Sequence, residues 1–348
     1  MAISYLNRVH FGEDVLAEAL ATELTGLGAM RPLVVTDPGI VAAGLLDKLL
    51  ATIPASVSPA VFSDTPANPT ESAVDEAADA CRQAEADSLI GFGGGSAIDL
   101  AKAVGLRVSH DGPLAGFAAV EGGVGRIKPV MPPMIAIPTT AGTGSEVGRG
   151  AIIVLRDGRK LGFISPYLIP EAAICDPVLT LGLPPRLTAG TGMDALTHCV
   201  ETYIATADNP TADAIAIDGL RRASAHLETA TEDGTNRTAR REMMVAAMHG
   251  ALAFQKGLGG VHAMSHALGG LAGYHLHHGT LNAVLLPFVL QFNAPVVGHR
   301  YDDLRAAMGL SEAADLPMAI EKLTERLGLP MRLGEMGVDH AAIEAAAP

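Results

Sequence analysis

Two segments of the chain carry carboxylate and imidazole at intervals that suit a metal ion. Gly192-Met-Asp-Ala-Leu-Thr-His198 places Asp194 and His198 four residues apart, so on a helix both side chains share one face. Val261-His-Ala-Met-Ser-His266 repeats that interval with His262 and His266, and His275, His277 and His278 follow. Five of the chain's twelve histidines thus fall within seventeen residues. A lone His-x-x-x-His pair is commonly a solvated or core-satisfied helix face, but two such faces in one chain favour ligation. One carboxylate with imidazoles, and no cysteine placed to help, is a borderline-to-hard donor set suited to Fe(II), Zn(II) or Mn(II). It is unlike a structural zinc site built from thiolates and points instead to catalysis.

An anion-binding pattern lies upstream. Ala86-Asp-Ser-Leu-Ile-Gly-Phe92 reads as a strand that runs into Gly93-Gly-Gly-Ser96, and a helix begins at once with Ala97-Ile-Asp-Leu. Glycines let the backbone approach a phosphate, while the N–H groups and dipole of the helix start supply positive potential. The segment is not GxGxxG, and a tight strand-to-helix turn alone would explain one or two of the glycines. After the strand Met134–Ile137, Pro138-Thr-Thr-Ala-Gly-Thr-Gly-Ser145 packs four hydroxyls and two glycines into eight residues. That is enough to hold a pyrophosphate or ribose, although Ser/Thr-rich turns are also ordinary loop chemistry. Asp37 follows the strand Pro32–Thr36, where a carboxylate can accept from an adenosine ribose and repel a 2′-phosphate; as part of Asp-Pro-Gly it is equally a turn and helix-cap residue. Arg156-Asp-Gly-Arg159 marks a β-hairpin between 151–155 and 160–164, and Lys160 either reaches phosphate or ribose or is a solvated lysine.

The elements that must position these residues change along the chain. Up to about Pro177, β-branched runs alternate with alanine-rich amphipathic stretches, the pattern of βαβ units with a parallel sheet. Beyond it, 215–227, 239–254, 263–271, 281–292 and 318–327 carry helical periodicity, which predicts an all-α C-terminal domain. Leu181-Gly-Leu-Pro-Pro185 is the expected junction, giving an α/β nucleotide-binding domain over 1–182 and a helical metal-binding domain over 183–348.

The 348 residues suffice for two full cores. Three cysteines without a CxxC pair fit a reducing compartment, and Met1-Ala-Ile-Ser4 lacks a secretory pattern, so a cytoplasmic location is expected. Mean hydropathy is +0.29, yet no run of eighteen apolar residues lacks a charge or turn signal, so no membrane span is expected. A net charge of −14 without a Lys/Arg cluster argues against nucleic-acid binding and reads as solubility.

Taken together, the chain resembles the iron-containing (group III) alcohol dehydrogenases, the family that includes lactaldehyde (1,2-propanediol) oxidoreductases. The resemblance spans nearly the whole chain. It rests on Asn68-Pro-Thr70, Gly93-Gly-Gly-Ser-Ala-Ile-Asp-Leu-Ala-Lys102, Ile137-Pro-Thr-Thr-Ala-Gly-Thr-Gly-Ser-Glu-Val147, Gly192-Met-Asp-Ala-Leu-Thr-His-Cys-Val-Glu201 and His278-Gly-Thr-Leu-Asn-Ala-Val-Leu-Leu-Pro287. It implies a dehydroquinate-synthase-like two-domain architecture and a metal-dependent, NAD(H)-linked enzyme that moves hydride between nicotinamide and a small alcohol or aldehyde. It further implies Fe(II), with Zn(II) chemically acceptable, NAD(H) favoured over NADP(H), and a homodimer or larger homo-oligomer.

Carried over by position, the implied metal ligands are Asp194, His198, His262 and His278, with His266 near nicotinamide and substrate. Asn68, Gly94, Gly95, Ser96, Thr139, Thr140, Thr143 and Lys160 match cofactor-contacting positions, Asp37 the one that favours NAD, and Asp99 one that lines the cleft. The segment between His266 and the His-Gly motif is a residue or two longer than in the family, so His277 competes with His278 for the fourth ligand place. Related readings are a maleylacetate-reductase- or glycerol-dehydrogenase-like oxidoreductase, a dehydroquinate-synthase-like lyase, and a catalytically silent nucleotide-binding protein. The lyase needs cations for a phosphorylated substrate, and the metal region offers histidines with few lysines or arginines; intact metal and glycine motifs argue against silence.

Overall fold

The computed structural model describes residues 7–271 and 273–346, so Met1–Ser4, read above for a secretory pattern, lie outside the described residues. These form two compact units, one of residues 7–139 with 145–180 and the other of 140–144 with 181–346. The chain passes from one to the other at 180/181, at the start of the Leu181–Pro185 segment.

The first unit is a parallel sheet with helices on both faces. Its strands are β1 (Arg8–Phe11), β2 (Pro32–Val35), β3 (Ala60–Phe62), β4 (Ser88–Gly93), β5 (Met134–Pro138) and β8 (Ala172–Cys175), ordered β1-β8-β5-β4-β2-β3, and a two-stranded antiparallel hairpin joins β6 (Gly150–Val154) to β7 (Lys160–Ile164). Alternation along the strands builds two cores. Leu33, Val35, Leu89 and Ala136 pack toward α4 (Glu71–Gln83) and α5 (Gly95–Ser109). Val34, Ile90, Phe92, Ile135 and Ile137 pack on the other face toward α1 (Leu16–Leu27) and α3 (Leu45–Thr52), with the short α2 (Pro38–Ala42) contributing Ile40. Strand order reverses between β2 and β4, and in open α/β sheets ligands bind outside the carboxyl ends of the strands at such a point. There the chain places Asp37 and the Gly93–Ser96 turn.

The second unit is helical: α6 (Pro185–Ile204), α7 (Pro210–Glu232), α8 (Arg237–Ala253), α9 (Gly260–Gly269), α10 (His278–Val297), α11 (Arg300–Ala307), α12 (Leu316–Arg326) and α13 (His340–Ala346). Helix α6 starts with Pro185 at its first turn, where a missing N–H costs nothing. Its residues from Thr188 to Thr202 are buried on every side, as expected of a central helix packed by α7, α8 and α10. Helix α10 is, among the described residues, the one helix long and apolar enough to cross a membrane, although more than half of its apolar window is buried inside the unit. The sequence reading found no such run because Asn282, Pro287, Gln291, Asn293 and Pro295 interrupt it.

Candidate metal centre and nucleotide cradle

Asp194 and His198 lie one turn apart on α6, both buried, and α9 and α10 bring His262 and His278 to them. Two glycines allow the close approach of α10: a Cβ on Gly279 would stand 2.1 Å from the Gly190 carbonyl oxygen and 3.1 Å from Asp194 Cβ. Around Asp194 Oδ1, the Nε2 atoms of His278, His262 and His198 lie at 3.6, 3.7 and 3.9 Å. The rings of His198 and His262 stack with centroids 4.5 Å apart. Ligand atoms of Asp194, His262 and His278 all fall within 4.8 Å of one another.

These spacings are too long for hydrogen bonds, yet they aim imidazole nitrogens and a carboxylate oxygen at one buried locus. Asn282, one turn after His278, donates from Nδ2 to Asp194 Oδ1 at 2.7 Å, while its buried Oδ1 has no partner among the described residues. A carboxylate–imidazole set without thiolate, beside an orphaned amide oxygen, fits a divalent cation such as Fe(II) or Zn(II).

Electrostatics agree with a site made for positive charge. Burial would raise Asp194, but the neighbouring imidazoles hold its carboxyl well below the usual range. Burial lowers His198 to about 4, with Asp194 opposing. His262 is desolvated too, yet the charge of nearby Asp194 and its bond to Glu201 carry it up to about 9. A cation would take the place of the proton that His262 otherwise holds between two carboxylates.

His277 does not join the cluster. Its Nδ1 accepts from the Thr280 backbone N–H at 3.3 Å and meets Thr280 Oγ1 at 3.0 Å, capping α10. His266 is half-buried beside the centre, its ring 5.1 Å from that of His278 and 6.0 Å from that of His262. Sequence reasoning assigned no role to Glu201, which bonds His262, or to Asn282. Helical spacing signals both, since Glu201 stands two turns after Asp194 and Asn282 one turn after His278.

In the α/β unit, β4 ends at Gly93 and α5 starts at Gly95, with Gly94 as N-cap, so backbone N–H groups open onto the turn. Gly93 has φ +149°, and a Cβ there would meet Ala97 Cβ at 2.9 Å and stand 3.1 Å from Asp37 Oδ2. Asp37 caps α2 by accepting from Ile40 N–H at 3.0 Å through Oδ1, while its other oxygen faces the glycine turn. Both readings of this residue are therefore compatible with its position. Ser96 Oγ donates to the Ala67 carbonyl at 2.6 Å and Lys160 Nζ to Asn68 Oδ1 at 2.8 Å, gathering three expected positions beside the turn. Thr139 N–H bonds the Gly93 carbonyl at 2.9 Å, and its buried Oγ1 lacks a partner among the described residues, as do the hydroxyls of Thr36 and Thr65. A bare glycine turn edged by orphaned hydroxyls fits a nucleotide.

Asp99 has both oxygens engaged within the chain, accepting from Ser145 Oγ at 2.5 Å and from Ile152 N–H at 3.0 Å. Thr140 and Thr143 fall in the helical unit, where the bend at Gly142 and Gly144 leaves no room for a Cβ against Thr191 and Ala251.

A family model described as iron-containing alcohol dehydrogenase matches residues 7–177, and one described as the C-terminal part of the Fe-containing alcohol dehydrogenase family matches 188–348. The chain is 53% identical over 343 residues to a 4-hydroxybutyrate dehydrogenase of Cupriavidus necator, an alignment covering 97% of this chain and 89% of that protein. It is 38% identical over 328 residues to a 1,3-propanediol dehydrogenase of Citrobacter freundii, with 90% and 83% covered. Among solved structures, a 1,3-propanediol oxidoreductase superposes with TM-score 0.91 at 34% identity, over 99% of this chain and 93% of that one. A sulfoacetaldehyde reductase from Bifidobacterium kashiwanohense in complex with NAD+ gives 0.88 at 27% identity, over 100% and 93%. Matches of this length place the chain in the iron-containing alcohol dehydrogenase family, whose metal suits the carboxylate–imidazole cluster and whose chemistry makes this protein an oxidoreductase.

Proposed function

We propose that this dehydrogenase uses NAD(H) and one divalent metal, Fe(II) by family and Zn(II) by equal chemical fit, to interconvert small primary alcohols and aldehydes, with 4-hydroxybutyrate and its aldehyde first among the substrates. The observation that carries the reading is the convergence of three imidazole nitrogens within 3.9 Å of one buried carboxylate oxygen. Similarity to the 4-hydroxybutyrate and 1,3-propanediol enzymes supports the substrate class. Asp194, His198, His262 and His278 would hold the metal, and His277 is set aside because it caps α10.

When bound, the metal supplies a Lewis acid for the substrate oxygen while hydride passes to or from nicotinamide. Asp194 offsets the positive charge, and the buried faces of α6, α9 and α10 exclude water from the charged donors. His266, half-buried at the margin, exchanges the substrate proton at a ring nitrogen. The Gly94–Gly95–Ser96 turn receives the dinucleotide phosphates on the start of α5, with Asn68, Thr139, Thr140, Thr143 and Lys160 as polar contacts. Asp37 accepts from the ribose and disfavours a 2′-phosphate, which selects NAD(H). Asp99 acts from behind, fixing Ser145 and the hairpin. A cytoplasmic setting agrees with three buried, unpaired cysteines. Self-association, which light scattering would measure, has a surface in the exposed stripe of Phe288, Phe292 and Val296.

The direct test is NADH oxidation by anaerobically purified protein, stripped of metal and given Fe(II), Zn(II) or nothing, with the aldehyde of 4-hydroxybutyrate, 3-hydroxypropanal and short alkanals. Turnover restored by one metal and abolished in His198→Ala is expected. Tight NAD and metal binding without hydride transfer under any metal would overturn the assignment.

A further inference from the structure

Glu201 is a carboxylate with 1% exposure that neither the spacing of the histidines nor the glycine turns accounts for. It stands on α6 two turns beyond Asp194. Its Oε1 accepts from the Val261 backbone N–H at 2.7 Å, and its Oε2 accepts from the His262 backbone N–H at 3.2 Å and meets His262 Nδ1 at 2.6 Å. An ionised carboxylate can only accept, so Nδ1 must carry a proton, and Nε2, which faces Asp194, is the nitrogen left to an ion that displaces the second one. A buried carboxylate is costly unless its oxygens are satisfied, and here three donors from one turn of α9 converge on it. The room for it is specific. A Cβ on Gly259, the N-cap of α9, would stand 2.7 Å from Glu201 Oε1.

We propose that Glu201 is a positioning residue of the metal centre, fixing through His262 both the ring nitrogen presented to the ion and its direction. The inference rests on the metal reading above. Carboxylates that hold the distal nitrogen of a ligating histidine orient the ring and raise its basicity, and their removal typically weakens metal binding by roughly 10–100-fold. Glu201 also joins two of the three ligand-bearing helices, so the nitrogen of α9 is referred directly to the helix that carries Asp194 and His198. A simpler role would be to cap α9, whose own N-cap glycine supplies no side chain.

The two roles separate in Glu201→Gln. Glutamine offers one uncharged acceptor in place of two carboxylate oxygens. With its oxygen on the Val261 N–H, its NH2 opposes Nδ1–H and drives His262 toward the tautomer whose Nε2 is protonated; with its oxygen on Nδ1, the neutral amide no longer raises the basicity of the ring. Metal-free protein is titrated with Co(II) against a chelator, recording affinity and the visible Co(II) spectrum, and its thermal midpoint is measured alongside. Positioning predicts affinity weaker by roughly 10–100-fold with an altered Co(II) spectrum. Capping alone predicts a lowered midpoint with affinity and spectrum unchanged, which would overturn the proposal.

Gly259→Ala is the second variant, to be used if Glu201→Gln does not fold. At φ −127° the backbone there tolerates a side chain, so the substitution displaces the carboxylate without removing it. It should weaken Co(II) binding in the same direction, and wild-type affinity in Gly259→Ala would refute the idea. Wild-type protein that takes up no Co(II) would instead sink the metal reading itself, a failure distinct from that of Glu201.

Discussion

His266 and His278 stand with ring centroids 5.1 Å apart, yet only His278 belongs to the group whose ligand atoms lie within 4.8 Å of one another. The difference arises from direction. His278 opens α10 and points at Asp194, whereas His266 lies one turn past His262 at the edge of the cluster and remains half-buried. His266→Ala should therefore lower turnover by roughly a hundredfold or more, the usual contribution of a positioned acid–base group, while metal content stays near stoichiometric. Metal lost in proportion to activity would show that His266 ligates instead. The sequence favoured His278 over His277 as the histidine immediately before Gly279, and the use of His277 as the cap of α10 supports that choice. Glu201 and Asn282 went unassigned because a carboxylate or amide on a helix face has many ordinary uses until its partner is seen.

At the scale of elements, the site depends on how closely α10 can lie against α6. Periodicity anticipated helices over 215–227, 239–254, 263–271, 281–292 and 318–327, and all are present: α7 and α10 extend past both expected ends, while α8, α9 and α12 start two or three residues earlier and stop one or two residues sooner. It missed β1, β3 and β8, strands of three or four residues whose apolar content is too short to show a period. It also gave no sign that Gly190 and Gly279 meet, since a glycine reads as a turn signal until a second backbone is found against it. Gly279→Ala places a Cβ 2.1 Å from the Gly190 carbonyl oxygen, which neither backbone can relieve without α10 moving. We expect a loss of about 1–3 kcal/mol in urea unfolding, together with loss of bound metal as His278 is carried away from Asp194. Gly334→Ala, where a Cβ meets nothing within 4 Å, is the control and should leave both unchanged. A Gly279→Ala protein with full metal content would mean that the α6–α10 contact does not set the ligand geometry.

For the whole molecule, stability across pH should reveal a buried charge that the nucleotide half carries apart from the cradle itself. Lys102 is sequestered and donates to the Ser145, Gly148 and Gly150 carbonyls and to Ser145 Oγ at 2.6–2.9 Å, which ties α5 to the segment leading into the hairpin. Glu146 is buried nearby. Burial raises its carboxyl to about 7 from 4.5, with Lys102 opposing, and burial lowers Lys102 to about 8 from 10.5, with Asp99 and Glu146 opposing. A carboxyl whose folded pKa is raised binds its proton more tightly in the native state, so its contribution is full below 4.5 and is lost as pH climbs through 7. The lysine does the reverse, adding stability only as pH rises from about 8 toward 10.5. His198, lowered to about 4 by burial, also works against Glu146 across the acid window, so the absolute pH profile of the wild type mixes the two. The difference between wild type and Glu146→Gln removes the shared histidine contribution. Urea midpoints at pH 5, 6 and 7 should show the wild type losing stability relative to Glu146→Gln as pH rises. A difference that stays flat over that range would mean that Glu146 is already ionised at pH 5 and that Lys102 neutralises it in full.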